Sequence, residues 1–291
     1  MRDGEHPALV LGEGIASGVG AEERPSPDGE VPGVLLQVAY DGRPFHGFAP
    51  QPDQRTVAGE LLGALRAIDP KIVAVRGASR TDAGVHAKDQ RVAFDPSRDF
   101  PLEAWIKGAS RHLPDEIAIR AAWKVERGYD PRAHSRAKTY RYVILVDPRR
   151  DPFLVGRAWR VRELAKPGAV EAAASEAALA IGQHDFAAFR GASDPRTNTV
   201  RNLSRVEVVR DADDPRIVSV FVRGDAFLYN MVRILVGAIV DVGRGRNAPG
   251  TITRALASKD RRDLGITAPP DGLCLEQYEA DDDDERRGRA G

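Results

Sequence analysis

The order of strand-like and helix-like segments is the feature that most restricts how this chain can fold. Between Val34 and Val125, apolar runs and amphipathic stretches follow the order strand, helix, strand, strand, helix, strand. The six segments are Val34–Tyr40, Thr56–Ile68, Lys71–Ala78, Gln90–Phe94, Pro101–His112 and Ile117–Val125. This order is typical of the split β-α-β unit, known as the ferredoxin-like fold.

A second set of segments repeats the order more loosely. Its members are Thr139–Val146, Gly168–Ile181, Leu203–Arg210, Ile217–Arg223, Leu228–Val242 and Gly272–Tyr278, with a short extra helix near Ile252–Ser258. We therefore predict an α+β fold with two ferredoxin-like halves, whose antiparallel sheets meet at a central active-site cleft.

The first helix has the clearest local signals. Thr56 can cap its first turn, and Val57, Leu61 and Leu65 fall on one apolar face. This spacing predicts a helix from Thr56 to about Ile68.

Charge is distributed unevenly, although 43 basic and 43 acidic residues give a net charge of zero. Residues 1–33 carry a net of −5 and residues 276–291 a net of −4, so the 242 residues between them carry +9. Residues 1–33 also lack any apolar period, which predicts a disordered acidic leader. The predicted division is leader 1–33, N-terminal domain with the catalytic loop 34–126, C-terminal domain 127–279 and tail 280–291.

Composition excludes several classes of protein. The single cysteine, Cys274, excludes an internal disulfide framework and fits a reducing cytosol. The longest apolar stretch, Ala226–Val240, is interrupted by Asn230 and Arg233, so no membrane span is predicted. The basic central region is compatible with a polyanionic partner. Arginine provides 36 of the 43 basic residues, although a GC-rich genome would produce the same bias.

The densest polar constellation is GASRTDAGVHA, residues Gly77–Ala87. Arg80 and Asp82 can project together from an extended loop, and a reversal at Gly84 can bring His86 back towards them. An adjacent arginine would lower the pKa of Asp82 and leave an ionised nucleophile or electrostatic stabiliser. A structural Arg–Asp pair is the simpler reading of these residues alone, and Asp82 with His86 lacks a third metal ligand nearby.

Several segments together resemble the tRNA pseudouridine synthase A family. The segments in chain order are YDGRPFHGFAPQP (Tyr40–Pro52), SRTDAGVHA (Ser79–Ala87), PRAHSRAKTYRYVI (Pro131–Ile144), GQHDFAAFR (Gly182–Arg190), FLYNMVRILVGAIVDVG (Phe227–Gly243) and APPDGLCL (Ala268–Leu275). The chain departs from the family pattern at three places. Ser79 replaces a common glycine, residues 48–51 replace a Trp-Gln-x-Gln pattern, and residues 229–230 replace a pair of histidines.

The resemblance implies roles for five residues. Asp82 matches the catalytic aspartate, and the residues that match substrate-binding positions are Tyr140, Arg80, Arg233 and Leu273. Tyr140 would otherwise be an ordinary strand aromatic. Arg233 stands out without the family, because an unpaired charge inside an apolar helix costs several kcal/mol and so predicts a buried partner.

The resemblance also implies the reaction and its partners. Uridine would be isomerised to pseudouridine at nucleotides 38–40 of the tRNA anticodon stem-loop, in the cytoplasm, by a homodimer with no metal or other cofactor. The alternatives are a related synthase acting on another tRNA position or RNA, and a non-catalytic RNA-binding relative.

Overall fold

The computed structural model describes residues 31–280, which form a mixed α/β fold with one large sheet and few helices. The strands are β1 Gly33–Tyr40, β2 Arg76–Gly77, β3 His86–Phe94, β4 Ile117–Val125, β5 Ser135–Leu145, β6 Trp159–Arg160, β7 Gly182–Asp185, β8 Val200–Arg210, β9 Ile217–Gly224 and β10 Leu273–Ala280. The α-helices are α1 Val57–Arg66, α2 Ala169–Ala178, α3 Met231–Gly243 and α4 Thr251–Ser258. The predicted combination of helices with extensive antiparallel sheet is confirmed.

The strands lie in one continuous sheet of order β4-β1-β3-β10-β5-β9-β8-β7, with β2 beside β3 and β6 beside β5. Strand β10 connects the two parts of the sheet, because it pairs in parallel with β3 and antiparallel with β5. In this register Cys274 lies opposite His86 and Leu275 lies opposite Ala87. The loop before β3 is therefore brought close to the middle of β5.

Helix α3 is enclosed by protein along its whole length. Every residue of it except Arg233 is buried, and it packs against α2 and α4. A Cβ atom on Gly237 would lie 2.0 Å from the carbonyl oxygen of Ile266, so only glycine allows this close approach. Met231, Val232 and Arg233 in the first turn of α3 line a cavity, and Arg233 is the one of the three that is not buried.

The cap predicted for α1 is confirmed, since Thr56 Oγ1 accepts a hydrogen bond from the N–H of Gly59 at 3.2 Å.

The strand predicted for Lys71–Ala78 is wrong, because only Arg76–Gly77 pairs with β3. The Arg66 guanidinium donates to the carbonyl oxygens of Ile72 and Val73. These two carbonyl groups are therefore not free to pair with a neighbouring strand.

Two further segments differ from the prediction. Strand β3 begins at His86 rather than Gln90, and residues 102–110 are helical around a π-helical turn at Ala104–Gly108 in place of a regular helix. The wide turn seats Trp105 edge-on against Phe94 and Phe100. Strands β6 and β7 were not predicted. The disorder predicted for the leader 1–33 falls on residues outside the described range apart from 31–33, and Gly33 begins β1. The predicted tail 280–291 also lies outside that range, apart from Ala280, which ends β10.

Candidate active site

A cavity of about 840 Å³ opens where the loop before β3 meets β5, β10 and the start of α3. All five residues singled out in the sequence line it, namely Arg80, Asp82, Tyr140, Arg233 and Leu273. They come from four separate stretches of chain, and the β3-β10-β5 arrangement brings them together.

The loop that carries Asp82 is held from beneath by buried polar side chains. Gln90 is fully buried, and its amide donates to the carbonyl of Ser79 at 2.8 Å and accepts from the Ser79 N–H at 3.1 Å. The hydroxyls of Tyr40 and Thr81 are hydrogen-bonded to each other at 2.7 Å. These contacts fix the backbone on both sides of Arg80 and so restrict where Asp82 can lie.

The loop reverses at Gly84, whose φ of +80° is in the left-handed region that favours glycine. The expectation that this reversal brings His86 towards Asp82 is wrong. His86 Nδ1 accepts from the N–H of Gly42 at 3.1 Å, and Nε2 faces the carbonyl oxygens of Gly156 and Asp271 at 2.9 and 3.2 Å. His86 therefore anchors the end of the loop outside the cavity.

Asp82 is paired with Arg233 across 151 residues of sequence. Arg233 Nη1 donates to Asp82 Oδ2 at 3.1 Å, and each side chain is 17% exposed. Arg233 also donates to the carbonyl of Ala268 and to the side-chain oxygen of Asn230, both at 2.9 Å. The charge inside this apolar helix thus has three acceptors, and the carboxylate is one of them.

Burial raises the pKa of Asp82 above its ordinary value, because desolvation outweighs the opposing effects of the Arg233 hydrogen bond and charge. The lowered pKa expected from the sequence is therefore wrong. Its assumed cause is also missing, since no Arg80–Asp82 ion pair occurs within residues 31–280, and Arg80 is exposed at the rim. A desolvated carboxylate on one fixed arginine is a stronger base and nucleophile than one in water.

Tyr140 lies on the wall of the cavity and is 8% exposed. The ring packs edge-on against Phe227 at 5.0 Å, and the hydroxyl donates to Ser79 Oγ at 3.2 Å. Burial raises the pKa of Tyr140 to about 12, so the side chain is neutral at physiological pH. The serine at position 79 supplies an acceptor that the glycine usual in the family signature lacks.

Leu273 provides an apolar surface in the same cavity. It is 5% exposed and begins β10, where it lies opposite Tyr142 of β5. A cavity with a carboxylate, a tyrosine ring and a leucine can hold a flat base and place an anionic oxygen beside its sugar.

Two lining residues were missed in the sequence. Lys138 is 6% exposed, and Asn230 begins α3 with a φ of +59° while accepting from Arg233. Strand alternation was the available signal for Lys138, because residues two apart share a face and Tyr140 was already a candidate. For Asn230 the signal was the preference of asparagine for left-handed backbone at a helix start.

Comparison with known proteins places the chain in a family. The model of a family described as tRNA pseudouridine synthase matches residues 177–279. The tRNA pseudouridine synthase A of Pelobacter propionicus is 39% identical over 242 residues, which are 83% of this chain and 97% of that one. The chain belongs to the tRNA pseudouridine synthase A family. This is a family of isomerases.

Two other members of the tRNA pseudouridine synthase A family show similar coverage. The protein of Brevibacillus brevis is 40% identical over 82% of this chain and 95% of its own length. That of Myxococcus xanthus is 38% identical over 85% of this chain and 91% of its own length. The match to a chain in the crystal structure of a Cbf5-Nop10-Gar1 complex spans 76% of this chain and 51% of that one, with 13% sequence identity and a TM-score of 0.33.

None of the helices within residues 31–280 is long and apolar enough to cross a membrane.

Proposed function

We propose that this protein isomerises uridine to pseudouridine at nucleotides 38–40 of the tRNA anticodon stem-loop, in the cytoplasm. Membership of the tRNA pseudouridine synthase A family supports the reaction and the tRNA substrate. The observation that carries the proposal is the desolvated Asp82 carboxylate, which Arg233 holds inside a cavity large enough for a nucleotide. The positions 38–40 rest on the resemblance of the sequence motifs.

The reaction breaks the N1–C1′ bond of uridine, turns the freed base and joins C5 to C1′, while C5 loses its hydrogen as a proton and N1 gains one. Substrate and product have the same atoms and oxidation state, so the proposed reaction consumes no co-reactant. The family resemblance implies that it needs no metal, nucleotide or redox cofactor. Asp82 either attacks C1′ or removes the C2′ proton. Both routes need the ionised carboxylate, which Arg233 favours.

The remaining residues are proposed to hold the base. A uridine in a stem must be unstacked before Asp82 can reach its sugar, and Arg80 at the rim can occupy the space that the base leaves. Tyr140 stacks on the extruded base, and its hydroxyl is available when the C5 proton departs. Leu273 packs against the uracil from β10.

We further propose that the sheet consists of two ferredoxin-like units, residues 34–126 and 127–279. The strand orders β4-β1-β3-β2 and β10-β5-β9-β8 support this, because each repeats the 4-1-3-2 order of that unit. The homodimer is likewise a proposal from the family resemblance.

The target position can be tested with tRNA transcripts that carry uridine at 38, 39 and 40, and with matched transcripts in which one uridine is replaced by cytidine. Each replacement should remove one pseudouridine and leave the others. Pseudouridine at other positions would instead show a related synthase. Binding of tRNA without any conversion would show a non-catalytic RNA-binding relative.

A further inference from the structure

Lys138 is a buried cation in the wall of the active-site cavity, and the proposed mechanism does not use it. The residue is 6% exposed, and no hydrogen bond or ion pair of its ammonium group occurs in the part of the chain that the structure describes. Residues two apart on a strand share a face, so Lys138 and Tyr140 point to the same side of β5. This places a positive charge beside the ring proposed to stack on the base.

The charges that line the cavity do not balance. The Lys and Arg residues are Arg80, Arg132, Lys138, Arg196 and Arg233, and the carboxylates are Asp82, Asp194 and Asp225. Two of these carboxylates are already paired, Asp82 with Arg233 and Asp194 with Arg196. The third, Asp225, accepts hydrogen bonds from the backbone N–H groups of Asn202 and Ala226. The cavity therefore has positive charge in excess near Lys138 and Arg132.

The surroundings of Lys138 favour the uncharged form of its side chain. Burial and the neighbouring positive charge of Arg132 lower the pKa of Lys138 to about 8. Asp130 raises the pKa of Lys138, but this is a smaller effect. The side-chain oxygen of Asp130 accepts a hydrogen bond from the backbone N–H of Arg132 at 2.8 Å. The ammonium faces the cavity and has no protein acceptor within residues 31–280, so it is suited to an anion that arrives from outside.

We propose that Lys138 and Arg132 together bind one backbone phosphate of the RNA, next to the nucleotide whose base enters the cavity. The inference rests on the proposed function and adds a phosphate site to it. Arg132 is exposed at the rim and meets the phosphate first, while Lys138 holds it from within the cavity. The compact ammonium of a lysine suits a phosphate as a point charge, and only seven of the 43 basic residues are lysines.

The position of Lys138 indicates what the contact does. A phosphate fixed beside Tyr140 sets how deeply the sugar of the extruded nucleotide enters, and so places C1′ and C2′ relative to Asp82. Lys138 is thus a positioning residue that binds substrate rather than a residue of the chemical step.

The test compares wild type, Lys138→Met and Lys138→Arg in binding to an anticodon stem-loop RNA. Lys138→Met removes only a buried charge, so it should fold, and Lys166→Met at an exposed lysine outside the cavity is the control. Lys138→Met should weaken binding by about tenfold to a hundredfold and lower the salt dependence by about one phosphate, while Lys138→Arg retains most affinity. Lys166→Met should change neither.

The decisive measurement uses stem-loops in which one phosphate at a time beside the target uridine is replaced by an uncharged methylphosphonate. One replacement should weaken binding to wild type and have no further effect on Lys138→Met, because both changes remove the same contact. Additive losses at every phosphate would overturn the proposal. So would a Lys138→Met enzyme with normal affinity and reduced turnover, which would place Lys138 in the chemistry. If wild type converts no uridine while the phosphate coupling persists, only the proposed function fails.

Discussion

At the scale of single residues, the environment of Asp82 determines how activity should depend on pH. Burial raises the pKa of this carboxyl and Arg233 partly offsets the rise. Catalysis needs the ionised form, so the rate should fall as pH drops through this raised pKa.

Replacing Arg233 by leucine should move this fall in rate, the acid limb of the pH–rate profile, to higher pH. The substitution removes both effects that lower the pKa of Asp82, and the rate at neutral pH should fall by about tenfold or more. Arg233→Lys keeps a positive charge and should shift the limb less. The measurement is single-turnover rate against pH for the three enzymes, and an unchanged profile in Arg233→Leu would show that the pair has no catalytic role.

The Tyr140 hydroxyl bonded to Ser79 allows a second test. Tyr140→Phe keeps the stacking ring and should retain RNA affinity but reduce turnover, whereas Tyr140→Ala should weaken binding by about 1–3 kcal/mol. Ser79→Gly should alter turnover when Tyr140 is present and have no effect in Tyr140→Phe, because the hydroxyl that Ser79 holds is then absent. Equal effects of Ser79→Gly in both backgrounds would contradict this.

Part of the site could be predicted from the sequence. Arg233 could be recognised as a misplaced charge in an apolar helix, and the family signature contains Asp82. The direction of the Asp82 pKa shift could not be predicted, because it depends on desolvation by segments distant in sequence. The orientation of His86 was missed for the same reason, since its partners Gly156 and Asp271 come from other parts of the chain.

At the scale of elements, helix α4 depends on a buried carboxylate from α2. Glu176 is 2% exposed, and it accepts from the N–H groups of Gly250 and Ile252 at 2.8 and 2.6 Å. Glu176→Ala should lower the free energy of unfolding by about 1–3 kcal/mol, because two helix N-terminal donors lose their acceptor. Denaturant unfolding measures this, and Glu176→Gln should lose less. Equal stability of Glu176→Ala and wild type would show that solvent replaces the cap.

Helices and strands with strong periodicity were predictable, and those fixed by a distant partner were not. The Thr56 cap is local, so α1 could be predicted from its own residues. The segment 71–75 has strand-like composition, but its carbonyl oxygens at Ile72 and Val73 accept hydrogen bonds from Arg66. Strand β3 is extended to His86 by pairing with β10. Neither interaction is visible in a local window of sequence.

At the scale of the whole molecule, the uneven charge should govern RNA affinity. Residues 1–30 carry a net of −5, and Gly33 already begins β1. A chain without residues 1–30 should therefore fold, keep its turnover and bind tRNA slightly more tightly at low salt, with the difference vanishing at high salt. Affinity measured over a range of salt tests this. Loss of folding or weaker binding would mean that these residues contribute to the structure or to RNA recognition.

The central claim is that Asp82 carries out uridine isomerisation in tRNA. The most direct measurement is release of tritium from tRNA that contains uridine labelled at C5, because joining C5 to C1′ expels the hydrogen at C5. Wild type should release the label, and Asp82→Asn should release none while binding tRNA within a few-fold of wild type. Release by Asp82→Asn within tenfold of the wild-type rate would contradict the account.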